Sequence, residues 1–367
     1  MKPNLSTIVL IAALSHPVAT LRAEDDEWVL DAGYGGHLFP SAMIVSSTLK
    51  ADPEEEEDPT VLGDRFGMIT TSITATADNQ KVEVVIAAGD FLKESTFTGT
   101  LETKGETYYI SPVLRYDYKS LYANRQPTPD TITATVKLGG KSLGSKTEKV
   151  IVRSINDCLF SYPDEDDQRV DCSYLFAAYV NENSPVVQEI LAEALEIEDE
   201  DGKPLIKAIA GYQLDAEGVK RQVEAVYRAI QDRGFKYSSI TQASVASDSL
   251  GAQHVRFIGE ASNQASANCV DGSVLFASVL RKMELDPYLV TVPGHMFMGV
   301  YLDAEQTEHL EIETTMVGAS TFEEAVETAS TAYTKAEEKF GGDDPNYVII
   351  DIEAERQGGV IPLKEGK

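Results

Sequence analysis

The chain has 367 residues, 43% of them hydrophobic and 25% charged, with a formal net charge of −29 at pH 7. That length and apolar content suffice for two globular domains. The charge argues against a nucleic-acid or anionic-membrane binder, because both need basic patches, and fits solubility in a salty or extracellular medium.

Residues 1-23 read as a secretory leader. Lys2 forms a short basic region, Ile8–Leu14 an apolar core, and Ala23 precedes an acidic start. The core is too short to span a bilayer, and no later run reaches the roughly eighteen apolar residues of a spanning helix. The expectation is export to a periplasmic or extracellular medium, without stable membrane insertion once the leader is removed.

Residues 24-155 read as strands. Phe66–Thr76, Lys81–Ala88, Thr96–Glu102, Glu106–Ser111, Thr131–Leu138 and Glu148–Ile155 are rich in Thr, Val, Ile and Tyr. Turn residues separate them, as at Ala77-Asp78-Asn79, Gly89-Asp90 and Gly139-Gly140. Short strands at this spacing suggest an immunoglobulin-like β-sandwich, although the Cys–Trp–Cys marks of antibody domains are missing. A spacer role is the simplest expectation; carbohydrate-binding and partner-docking modules share the pattern. Glu54–Asp58 is an acidic loop without the spaced ligands and central Gly of a calcium loop.

Three cysteines in an exported chain leave one over. Cys158 and Cys172 flank the polar loop SYPDEDDQRVD, and a disulfide between them would contribute about 3 kcal/mol in the chain-entropy model. The unpaired one is Cys269.

From Cys172 onward the pattern turns helical. Ser173–Asn181 and Pro185–Glu196 form a helical pair, the second opened by Ser184 with Pro185 in its first turn. Ala216–Arg233 is amphipathic, with Val219, Val223, Val226, Tyr227 and Ile230 on one side and Gly234 as its stop. Phe235–Thr241 is extended, and Gln253-His254-Val255-Arg256 leads toward a further helix. That helix starts at Cys269, with Asn268 as N-cap and Asp271 completing a capping box. Val270, Val274, Ala277 and Leu280, widened by Leu275, Phe276 and Val279, bury it on most sides. A cysteine in a helix's first turn meets unpaired N–H groups and the positive end of the dipole, which favour a thiolate. Gly272 leaves room for a substrate or another strand to approach.

Tyr288–Val292 is an apolar strand broken by Pro293-Gly294, His295–Leu302 a second, and Leu310–Thr315 returns after a polar turn. A hairpin symmetric about residue 304 sets Glu313 directly across from His295, on one face. Carboxylate, imidazole and thiol would then form a nucleophile, base and orienter set. Thr321–Phe340 reads as a helix, Tyr347–Ile352 as a last strand, and Glu353–Lys367 as a polar end. His254 and His309 read as surface residues. Taken singly, a cysteine in an apolar helix and a histidine in a strand are core residues. Together and in this order they point to catalysis. A zinc site is disfavoured because no further nitrogen or sulfur ligand lies in the stretch.

Asn268-Cys269-Val270-Asp271-Gly272, Pro293-Gly294-His295-Met296-Phe297 and Glu313-Thr314-Thr315 together resemble the transglutaminase-like cysteine superfamily. The resemblance covers about Leu250–Ala325 and extends more weakly back to Tyr174. Glu313 stands where most members carry Asp, and Met296-Phe297 where Ala-Trp is usual. It implies an α+β, cysteine-proteinase-like domain over 156-345, with 346-367 as a terminal strand and tail. It also implies the catalytic set Cys269, His295 and Glu313, a protein or peptide substrate, and no cofactor or metal. An oxyanion would be met by the Cys269 N–H and by the amide of Gln253 or Gln264, of which the resemblance favours Gln253. The implied reaction is acyl transfer through a thioester, with water or an amine as acceptor and hydrolysis favoured. The alternative is a non-catalytic binding or envelope-assembly module in which the same residues serve packing.

Overall fold

The computed structural model describes residues 27–51, 58–164, 167–238, 250–342 and 344–365. The expected leader, and the Glu54–Asp58 loop up to residue 57, lie outside the described residues. Each of the six strands expected in the N-terminal half forms. Ile69–Thr74 is shorter than expected, and Lys141–Val152 begins seven residues early. They belong to two sheets. One runs in the order Trp28–Ala32, Ile69–Thr74, Thr107–Ser111, Val61–Gly63; the other His37–Leu38, Lys141–Val152, Thr128–Leu138, Gln80–Ile86, Ser95–Leu101. Period-two burial explains why these segments are strands. Val82, Val84 and Ile86 point inward on one, and Ile132, Ala134, Val136 and Leu138 on its neighbour.

This half is not strands throughout. Pro40–Ser46 is a helix with all seven residues buried, and Tyr118–Ala123 is a second, capped by Asp117. A short helix buried on every side has no polar face, so its sequence carries no 3.6-residue period. Pro40–Ser46 seats against the strand Asp157–Pro163, with Ser41 donating to the Asp157 carbonyl at 2.9 Å. Buried residues from Trp28 to Leu363 form one continuous cluster, so the core runs unbroken across the expected boundary at residue 155.

The strand Asp157–Pro163 lies between Arg169–Asp171 and Gly251–His254. This sheet overturns the expected disulfide: Cys158 and Cys172 are both free and buried. The Cys172 N–H donates to the Phe160 carbonyl at 2.8 Å, so Cys172 sits across from Phe160 and diagonal to Cys158. Diagonal neighbours lie roughly 7–8 Å apart, beyond the reach of a bridge. The next segment, Ser173–Tyr179, is a 3-10 helix rather than an α-helix.

The second half is built on an antiparallel sheet ordered His309–Ile312, His295–Tyr301, Pro287–Val292, Val348–Asp351. Leu289, Met298 and Val300 join the main core with Val274, Leu275 and Val279 of the helix Cys269–Lys282. Residues of opposite parity (Tyr288, Val290, Phe297, Tyr301) form a second core with Ala329 and Tyr333 of the helix Phe322–Ala336. The amphipathic helix Ala216–Asp232 buries all five expected apolar residues.

The polar C-terminal end is structured. Ile352–Gln357 is helical, and Val360 and Leu363 are fully buried. The Leu363 N–H donates to Ala178 at 2.7 Å, and Glu365 accepts from Gly259 and Ser184. The fold is therefore mixed α+β, and among the described residues no helix is long and apolar enough to cross a membrane.

Candidate active site

Cys269 is the first residue of its helix and is partly exposed. The expected cap forms: the Asn268 side chain accepts the Asp271 N–H at 2.8 Å, and Asp271 accepts the Asn268 N–H at 3.2 Å. Asp271 is buried, and burial pushes its carboxyl up despite hydrogen bonds from Arg256 and Asn268. The Arg256 main chain and guanidinium meet it at 2.8 and 2.7 Å. The Gln253–Arg256 stretch is thus bolted to the start of the cysteine helix. On the other side, the short strand Lys236–Tyr237 runs parallel to Ser266–Ala267, at the entry to Cys269. The expected extended segment is seen as far as residue 238; 239–241 lie outside the described residues.

Gly272 is where the third element closes in. A Cβ there would sit 2.8 Å from Thr314 Oγ1 and 3.1 Å from Thr314 Cβ. The room anticipated at this glycine is occupied by the turn that carries Glu313.

His295 is set by a two-residue turn. Val292 pairs with His295, leaving Pro293 and Gly294 between them, and Gly294 has φ +73. Pro followed by a positive-φ Gly is the preference of a type II turn. The hairpin register differs from the expected one. Met298 pairs with Ile312 and Tyr301 with His309, so Glu313 falls two residues short of direct opposition to His295. A slip of two keeps both side chains on one face, whereas a slip of one would have separated them. The strand ends at Ile312, and Glu313 caps the 3-10 turn Thr314–Met316. From there Glu313 Oε2 meets His295 Nε2 at 2.7 Å. The Cys269 thiol lies near enough to the same imidazole to raise its titration.

The electrostatics follow from these contacts. His295 is pushed up to about 10, first by its hydrogen bond with Cys269 and then by that with Glu313, against the opposing effect of burial. Burial also opposes charge on Glu313, but hydrogen bonds from His295 and Thr315 outweigh it and hold the carboxyl below its usual range. Near neutral pH the imidazole is therefore protonated and balanced by the carboxylate. Among the described residues no group of three or more His, Cys, Asp and Glu side chains is placed to hold a metal.

Three other polar residues have partners that the sequence did not show. Gln253 lies on the strand beside Cys158, and one hydrogen of its amide is committed to the His254 carbonyl at 2.9 Å. His254 is paired through Nδ1 with buried Asp157 at 3.3 Å rather than lying free on the surface. His309 is likewise engaged, with buried Glu311, which also accepts from Tyr288 at 2.8 Å and Ser330 at 3.2 Å. Two contributors went unassigned in the sequence: Arg256, whose partner is fifteen positions away, and Thr315, which donates to Glu313 through both N–H and hydroxyl. For Thr315 the available signal was its place two residues after an acid at a strand end, where hydroxyl side chains fold back on local acceptors.

No protein-family model matches the chain, and no curated protein matches it at significant similarity.

Proposed function

We propose that the protein is a transglutaminase-like cysteine hydrolase, with an immunoglobulin-like sandwich preceding the catalytic domain, that acts on amide or ester bonds of exported proteins or peptides. The observation that carries this reading is the Glu313 carboxylate on the His295 imidazole at 2.7 Å, with the helix-start thiol of Cys269 near the same ring. The three groups come from three separate elements. Core packing alone does not call for a protonated imidazole between a thiol and a carboxylate.

The chemistry follows from the order of contacts. His295 holds the proton lost by Cys269, and the sulfur attacks a carbonyl carbon to form a tetrahedral oxyanion. The Cys269 main-chain N–H, which has no intrahelical partner in the first turn, is a donor for that oxygen. Collapse breaks the C–N or C–O bond as His295 gives its proton to the leaving group, leaving a thioester. Water then attacks with His295 as base, the acid is released, and the thiol is restored. Glu313 stays ionised throughout and orients the ring.

The test is release of acid-soluble fragments from fluorescent casein. Wild-type protein should release them, and Cys269→Ala should lower the rate at least about a thousandfold with unchanged circular dichroism. Full activity in Cys269→Ala would overturn the reading.

A further inference from the structure

Resting on the triad reading, we infer that Thr315 is a positioning residue: its N–H and hydroxyl fix Oε1 of Glu313 so that Oε2 is held against His295. Three observations lead there. First, Glu313 lies past the end of its strand and diagonal to His295, so the sheet does not aim its side chain. A glutamate has three side-chain torsions, and its backbone is held by a bond from its N–H to Ala325 at 3.2 Å; that bond does nothing to orient the carboxylate. Second, the carboxylate accepts three hydrogen bonds. One is from His295 at 2.7 Å, and two come from Thr315, through its N–H at 3.0 Å and its hydroxyl. Third, the Glu313 side chain is only 8% exposed, so water is poorly placed to replace a lost donor.

The neighbouring Thr314 packs on Gly272 and lies 3.5 Å from the Cys269 carbonyl. The two threonines therefore brace the acid and the nucleophile helix from one turn. The titratable groups facing Glu313 are His295 from the hairpin and Tyr227 from the helix Ala216–Asp232. Loss of the Thr315 hydroxyl leaves Oε1 with one donor fewer, so the carboxylate is held less firmly against His295 and its charge supports the imidazolium less.

The experiment is an NMR titration of His295 in protein carrying 13C-labelled histidine, with His295→Gln used to assign its signal among the five histidines. Wild type should titrate near 10. Thr315→Val should lower that value by about one unit or more, and Thr315→Ser, which keeps the hydroxyl, should restore it. Thr315→Ala carries the same expectation should the valine variant fail to fold. A purely structural threonine would change stability and leave the imidazole titration in place; that result, in a folded Thr315→Val or Thr315→Ala protein, would overturn the inference. Repeating the series with Cys269→Ala removes the sulfur's contribution and reports Glu313 alone. The readout needs no turnover, so an inactive protein with a Thr315-dependent titration separates failure of the hydrolase reading from failure of this one.

Discussion

His295 stands between a thiol and a carboxylate, and its protonation ties the site to the stability of the fold. Its folded value of about 10 lies above the ordinary 6.5. Its contribution is therefore fully present below pH 6.5 and is lost as pH rises through about 10. Glu313 acts at the other end. Its carboxyl is held low, so its contribution is present above about 4.5 and is lost as pH falls through the depressed value. The urea midpoint of wild type should thus exceed that of His295→Gln near pH 6.5, with the gap narrowing steadily toward pH 10. A gap that stays constant over that range would contradict the assignment. At this scale the grouping of Cys269, His295 and Glu313 was legible, because residue type, order and a helix-start position all point one way. The aiming of Glu313 was not. It depends on where a strand ends and on a two-residue slip in register, neither of which alternation of apolar residues determines.

The helix Cys269–Lys282 is the element that brings the site together. Its start is held by the Asn268–Asp271 cap, by Arg256 just after the strand Gly251–His254, and by the close approach of Thr314 at Gly272. A methyl group at Gly272 has no space without moving the turn that carries Glu313. Gly272→Ala should therefore cost about 1–3 kcal/mol as an overpacking change and should separate the carboxylate from His295. Urea unfolding checks the first effect and the His295 titration the second. A variant of wild-type stability with an unshifted imidazole would show that Thr314 gives way freely. Helices and strands with one wet face were readable from their periods, as with Ala216–Asp232 and Gln80–Ile86. Pro40–Ser46 was not, because burial on all sides erases the period. His309 is exposed, as expected of a surface residue, while His254 is only partly exposed; the ion-pair partners of both were missed for a related reason. Each is matched to a buried carboxylate, Asp157 or Glu311, that sequence alone does not reveal as buried.

Across the whole molecule, one core joins the N-terminal sheets, the cysteine helix and the C-terminal end. The tail looked inert because two apolar residues, Val360 and Leu363, carry its packing, and main-chain and polar side-chain bonds do the rest. The three cysteines divide by the same burial. Cys158 and Cys172 are 0% and 1% exposed, free, and pushed up by desolvation, which makes them unreactive in the folded state. Cys269 alone is open to solvent and paired with a basic imidazole. The most direct test is the rate of iodoacetamide alkylation of folded, non-reduced protein at pH 6–9, with the modified residue located by mass spectrometry. Labelling should fall on Cys269 alone, run faster at pH 6.5 than in the denatured chain, and slow markedly in His295→Gln, while denaturation without reductant should expose all three thiols. A Cys269 that takes up no label until the protein is denatured would contradict the account and leave this thiol a residue of the core.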